Sequence, residues 1–198
     1  GDGPLDALIA HDWGGAVAWN LAVQRPELMR RLVIINSPHP GTFLHALQND
    51  AAQQAASEYM NYFCEPHAAA ELSANQFEML FGFLEKGIKP TWLTPEVKAH
   101  YIAAWSEGLQ GGLNYYCASP LKPSKPGENT LQNLELPDSM LRINVPTLLL
   151  WGLKDVALLP SLNEGLSQFI PQLTYVPIEN GSHWVVHEHP DVVQREMA

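Results

Sequence analysis

The chain has 198 residues, 46% of them hydrophobic and 16% charged, with 21 acidic against 11 basic side chains and a formal net charge of −10. This is the composition of a soluble globular protein, and its 16 prolines and 14 glycines follow no repeat, which excludes collagen, coiled coil and low-complexity disorder. The acidic balance, with Arg30-Arg31 as the basic cluster, argues against nucleic acid as a partner, and no apolar run approaches the ~20 residues of a membrane span. Gly1-Asp2-Gly3-Pro4 lacks the basic and apolar regions of a signal peptide. Cys64 and Cys117 are too few for a disulfide framework and fit a reducing compartment, so a cytoplasmic location is the expectation.

Residues 5–11 form a short apolar run that ends in Asp12-Trp13-Gly14-Gly15, and residues 16–24 then read as a helix closing before Pro26. Residues 31–36 are almost continuously apolar and β-branched, as expected of a parallel strand covered on both faces. From Thr42 to Tyr116 the sequence is Ala-rich with no strand-like alternation, and it reads as several helices. Between Asn114 and Pro146 five prolines preclude long regular structure. Strands follow at 147–151 and 173–178, with a helix expected at 161–169 between them and another at 190–197. Strands alternating with helices at this spacing predict an α/β fold with a parallel, doubly wound sheet. The expected organisation is core sheet over 1–41, helical lid and return loop over 42–145, and core sheet again over 146–198.

Ala10-His11-Asp12-Trp13-Gly14 has the layout of a nucleophile elbow, small-x-nucleophile-x-small between a strand and a helix. The central residue is Asp, and a carboxylate can attack an electrophilic carbon to give an ester, which suits strained ethers and alkyl halides better than amides. The plain alternative is a helix N-cap. Asp155 ends the strand at 147–151 and His183 follows the strand at 173–178. Singly, each reads as a loop residue. Together with Asp12 they stand in the chain order nucleophile, acid, histidine, each at the carboxyl end of a strand.

The sequence resembles the epoxide-hydrolase branch of the α/β-hydrolase superfamily. The resemblance rests on His11-Asp12-Trp13-Gly14-Gly15, on Ile35-Asn36-Ser37-Pro38-His39-Pro40, on Leu150-Trp151-Gly152 with Asp155, and on Gly181-Ser182-His183-Trp184. It implies an α/β-hydrolase sheet with an inserted helical lid, and lid tyrosines that hold and protonate the epoxide oxygen. The setting Tyr59-Met60-Asn61-Tyr62-Phe63-Cys64-Glu65-Pro66 places one at Tyr59, and Leu113-Asn114-Tyr115-Tyr116 places the other at Tyr116. Tyr62 and Tyr115 compete for these roles or contact substrate beside them, and His39 and Trp184 are further candidate substrate contacts. By the same resemblance Asp12 forms a hydroxyalkyl ester with a small apolar epoxide. His183, oriented by Asp155, activates the water that hydrolyses it, and the Trp13 N–H supports the oxyanion. None of these steps uses a metal or organic cofactor. His187 and His189 near His183 fit no common zinc spacing, and His11 is expected beneath the elbow.

Family members carry further strands and a His-Gly-x-Pro loop ahead of the elbow. The expectation is therefore the C-terminal half of the sheet, with an apolar parallel edge that needs covering by a partner, by further sequence or by self-association. Two other functions compete. A haloalkane or haloacid dehalogenase would use the same Asp nucleophile, and an inactive chain of this fold would serve as an interaction module. The absence of Gly-x-Ser-x-Gly argues against a serine esterase.

Overall fold

The computed structural model describes residues 3–125 and 127–198. Four parallel strands form one sheet in the order β1-β2-β3-β4: β1 Leu8–His11, β2 Leu32–Ile35, β3 Thr147–Gly152 and β4 Leu173–Ile178. The register sets Leu32 between Leu8 and Thr147, and Leu150 opposite both Ile35 and Val176. All four strands therefore end along one edge, and each carboxyl end feeds a loop into the same space.

The burial of β2 explains its unbroken apolar run. Leu32 and Ile34 enter the main core with Trp19 and Ala22 of helix α1 (Trp13–Gln24), while Val33 and Ile35 enter a second core on the other face. Side chains alternate across a strand, so a run with no polar position is what two covered faces demand. In β3, Leu149 and Trp151 face the main core and Leu150 faces the second. The second core is closed by Val185 of α8 (Val185–Glu188) and Val193 of α9 (Pro190–Met197). Pro177, which cannot donate to a ladder, stands in β4 at the sheet edge.

Among the described residues six α-helices lie between β2 and β3: α2 Pro40–Asn49, α3 Ala51–Ala56, α4 Tyr59–Tyr62, α5 Ala68–Leu84, α6 Pro95–Ser106 and α7 Gln110–Ala118. Helix α2 packs Phe43, Leu44, Ala46 and Leu47 into the main core beside the sheet. Helices α4 to α7 form two clusters of their own, one around Phe63, Leu72 and Leu113 and one around Phe77, Phe81, Leu84 and Leu93. Helix α5 is broken at residues 74–77, where Asn75, Gln76 and Phe77 take positive φ. The described residues of the proline-rich return, irregular apart from a short 3-10 turn at Asp138–Met140, are nevertheless packed, with Leu131, Leu141, Ile143 and Val145 buried.

One predicted element is corrected. The helix expected at 161–169 is two short 3-10 turns, Pro160–Asn163 and Leu166–Gln168, separated at Gly165 by a left-handed φ of 73° that no α-helix accommodates. Among the described residues β1 has a neighbour on one side alone, and Leu5, Ile9 and Val17 beside that edge are each more than half exposed. No helix among the described residues is long and apolar enough to cross a membrane.

Leu149 is 1% exposed at the centre of the main core. Leu149→Ala should lower unfolding stability by about 2–5 kcal/mol in denaturant titration; a loss below about 1 kcal/mol would show that this layer is not closely packed.

Candidate active site

The site begins at a turn. Asp12 joins β1 to α1 with φ 51° and ψ −127°, a conformation that side-chain-bearing residues avoid. Its carbonyl accepts the N–H groups of Gly15 (2.8 Å) and Ala16 (3.2 Å), and the Ser37 hydroxyl donates to the same oxygen at 2.7 Å. The Asp12 carboxylate makes no capping hydrogen bond to α1. The N-cap reading is thereby removed, and the carboxylate projects from the sheet edge with 38% of its side chain exposed.

The small residue that lets this turn close is Gly15 more than Gly14. A Cβ on Gly14 would meet Ala10 at an ordinary 3.9 Å, whereas one on Gly15 would overlap Ser37 Cβ and Oγ. Trp13 opens α1 directly after Asp12, so its N–H is one of the helix's first-turn donors, which have no intrahelical acceptor.

Asp155 and His183 come from the loops after β3 and β4. The Asp155 side chain is fully buried. Its Oδ1 accepts the N–H groups of Ala157 and Leu158, both at 2.9 Å, and its Oδ2 accepts His183 Nδ1–H at 2.8 Å and Asn36 Nδ2–H at 2.8 Å. It is thus both the loop cap and the histidine partner. With Nδ1 engaged, His183 presents Nε2 to Asp12 Oδ1 at 3.6 Å. Burial disfavours the His183 cation, but the hydrogen bond and charge of Asp155, with Asp12 and Glu188 behind them, outweigh it and hold the imidazole above its ordinary value. Burial likewise opposes the Asp155 charge, and the His183 bond and two backbone donors override it to keep the carboxyl below its usual range. The two loops approach this closely because Gly152 has no side chain: a Cβ there would overlap the main chain at Gly181 and Ser182. Glu188 ties the histidine loop to α8 by accepting Ser182 N–H at 2.7 Å and Ser182 Oγ–H at 2.8 Å.

Tyr59 and Tyr116 face each other over Asp12, ring centroids 5.8 Å apart, with Tyr116 edge-on to Trp13 at 5.1 Å. Burial pushes both phenols up, helped at Tyr59 by Tyr116, Asp12 and Asp155 and at Tyr116 by Asp12. Two cavities meet at this point, both lined by Asp12, Tyr59 and Tyr116. One of about 180 Å³ runs past His183, Phe83, Trp105 and Trp184, and one of about 310 Å³ past Trp13, Phe43, Met60 and Leu136.

Three candidates lie elsewhere. Tyr62 turns away, donating to Glu71 Oε2 at 2.8 Å and contacting Met79 Sδ at 3.3 Å, although it stands one helical turn from Tyr59. Tyr115 is 51% exposed and packs on the outer side of Trp13 at 5.6 Å. His39 is buried, bonded to the Leu141 carbonyl at 2.8 Å and stacked on Phe169 at 4.7 Å, so it braces the turn after β2. Trp184 does line a cavity wall. His11 bonds the His183 carbonyl through Nε2 at 2.9 Å. His187 stacks on Trp92 at 4.3 Å. Among the described residues no three His, Cys, Asp or Glu side chains are grouped as a metal-ion site. Of the apolar residues of α5 and α6, Leu80, Phe83, Leu84 and Trp105 line a cavity, while Phe77 and Phe81 pack within the helical layer. Asn36 stands inside the motif at 35–40 but, like Glu188, takes no role from sequence alone, since each acts through a contact formed only on folding.

A parallel sheet with a strained turn after β1, a carboxylate after β3 and a histidine after β4 has the layout of an α/β-hydrolase-type chain. A family model for the alpha/beta hydrolase fold matches residues 1–190, and the chain belongs to that family. It is 31% identical over 191 residues to the AB hydrolase superfamily protein YfhM of Bacillus subtilis, covering 95% of this chain and 63% of that protein. It is 32% identical over 197 residues to human epoxide hydrolase 4, covering 95% of this chain and 51% of that one. The solved structure of Bacillus megaterium epoxide hydrolase with an inhibitor superposes with a TM-score of 0.85 at 28% identity, over 96% of this chain and 67% of that one. The chain thus spans about half to two thirds of the length of these relatives.

Gly15→Ala should cost about 1–3 kcal/mol, because Ser37 Cβ cannot swing aside, whereas Gly14→Ala should be tolerated. Parallel thermal unfolding of the two variants checks this; equal losses would place the tight contact elsewhere.

Proposed function

We propose that this site hydrolyses epoxides to vicinal diols through an ester on Asp12. The observation that carries the reading is the Asp12 carboxylate lying between His183 Nε2, at 3.6 Å, and the facing pair Tyr59 and Tyr116. The epoxide-hydrolase names of its sequence and structural relatives support it.

Asp12 attacks a ring carbon, the C–O bond breaks, and its electron pair remains on oxygen. A tyrosine hydroxyl donates the proton that makes this oxygen a hydroxyl. Burial raises both phenols, so each enters the reaction protonated, with its hydroxyl available as a donor. Neutral His183 then takes a proton from water as the water oxygen bonds to the ester carbonyl. The carbonyl's negative charge is met by the Trp13 N–H, and a donor of this kind is worth about 10²–10³ in rate. Collapse releases the diol and returns the Asp12 carboxylate with one oxygen from water. His183 passes its proton back to the tyrosinate through solvent or the diol. The tyrosine pair favours this substrate over a haloalkane, whose leaving halide requires no proton.

Single-turnover reaction of a styrene-type epoxide in ¹⁸O-labelled water, in the protein that carries this chain, should put label into the Asp12 carboxylate. Label found only in the diol would exclude the ester, and Asp12→Asn should abolish turnover. Because His183 must be neutral and its pKa is raised, ester hydrolysis should fall as pH drops through a midpoint above about 6.5.

The tyrosine roles are tested separately. Tyr59→Phe and Tyr116→Phe should each lower kcat by about 10² or more, and Tyr62→Phe and Tyr115→Phe by less than about twofold. Equal effects across the four would refute the assignment.

A further inference from the structure

The turn after β2 contributes no group to the reaction just described, yet its first two residues hold both halves of the site. We propose that Asn36 and Ser37 act as a positioning clamp, Asn36 fixing the acid through its side chain and Ser37 fixing the nucleophile through its main chain. Asn36 is fully buried and takes φ 39°. Its Nδ2–H donates to Asp155 Oδ2 at 2.8 Å, the oxygen that also receives His183 Nδ1–H, and its Oδ1 accepts Gly152 N–H at 3.0 Å. The side chain therefore bridges the carboxyl end of β3 to the carboxylate that the next loop presents.

Only a side chain with both a donor and an acceptor at this length meets the two demands. Asp would accept from Gly152 and set a second carboxylate against Asp155. Leu would leave a buried N–H without an acceptor and Asp155 without one of its donors. Ser37 completes the clamp. Its hydroxyl donates to the Asp12 carbonyl at 2.7 Å, its own carbonyl accepts Trp19 Nε1–H at 3.2 Å, and its Cβ fills the space that Gly15 leaves open. One dipeptide thus fixes the distance between strand ends that Asp12 and His183 must span.

The clamp makes Asn36 a determinant of His183 basicity. Its hydrogen bond stabilises the Asp155 carboxylate and moderates the charge that His183 experiences. The titratable groups facing His183 are Asp155, Asp12, Glu188 and His11. None of them relieves the loss of the Asn36 donor, because the two backbone donors to Asp155 serve the other oxygen.

The inference rests on the triad geometry, and its test does not require turnover. In ¹H–¹⁵N NMR of the wild-type protein, the Asn36 side-chain amide should shift with the same midpoint as His183 on titration. In Asn36→Asp the His183 midpoint should rise by about one pH unit, a tenfold change in proton affinity. An Asn36 amide blind to His183 protonation overturns the clamp even where the variant fails to fold. So does a folded Asn36→Asp variant that is less stable but has an unchanged His183 midpoint, which is the result a merely structural residue would give. Failure of the hydrolase reading would instead appear as loss of the ¹⁸O label with the NMR coupling intact.

Discussion

Asp12 occupies a backbone conformation that an L-residue resists, and conformations of this kind cost on the order of 1–3 kcal/mol. The surrounding structure holds it there by several independent contacts. Two α1 amides and the Ser37 hydroxyl converge on its carbonyl, and Gly15 admits Ser37 against the helix. Release of this turn into a relaxed geometry would swing the carboxylate away from His183 and the tyrosines. The sheet cores, the second turn at Asn36 and the packed α1 helix are thus the means by which an unfavourable torsion is kept.

Much of this was legible in the amino-acid sequence. The strands announce themselves as apolar runs because burial on both faces leaves no position for a polar residue. The acid and the histidine stand out because each closes such a run. Where the reading failed, a nonlocal or conformational fact decided. The 161–169 segment has helical composition, but Gly165 turns left-handed and divides it. Tyr59 and Tyr62 share a helix three residues apart, and only the packing of α4 decides which one meets Asp12. The bond from Asn36 to Asp155 spans 119 residues, so no window of sequence contains it. The elbow pattern pointed to Gly14, and the close contact falls one residue later because it depends on where Ser37 sits.

The helical layer shows a division of labour among its aromatic residues. Phe77 and Phe81 give α5 and α6 a small core of their own, which lets these helices pack above the sheet edge. Phe83, Trp105, Tyr59 and Tyr116 line the space below. Apolar walls around a carboxylate and two phenols lower the local polarity and so strengthen each electrostatic interaction inside.

Gly152 carries a mechanical consequence. With the main chain of the acid loop lying against that of the histidine loop, and Glu188 clasping the latter, neither loop can swing as an independent arm. Displacing imidazole from carboxylate requires shearing β3 against β4, which share six register pairs. The stiffness of the Asp155–His183 pair is therefore borrowed from the ladder beneath it.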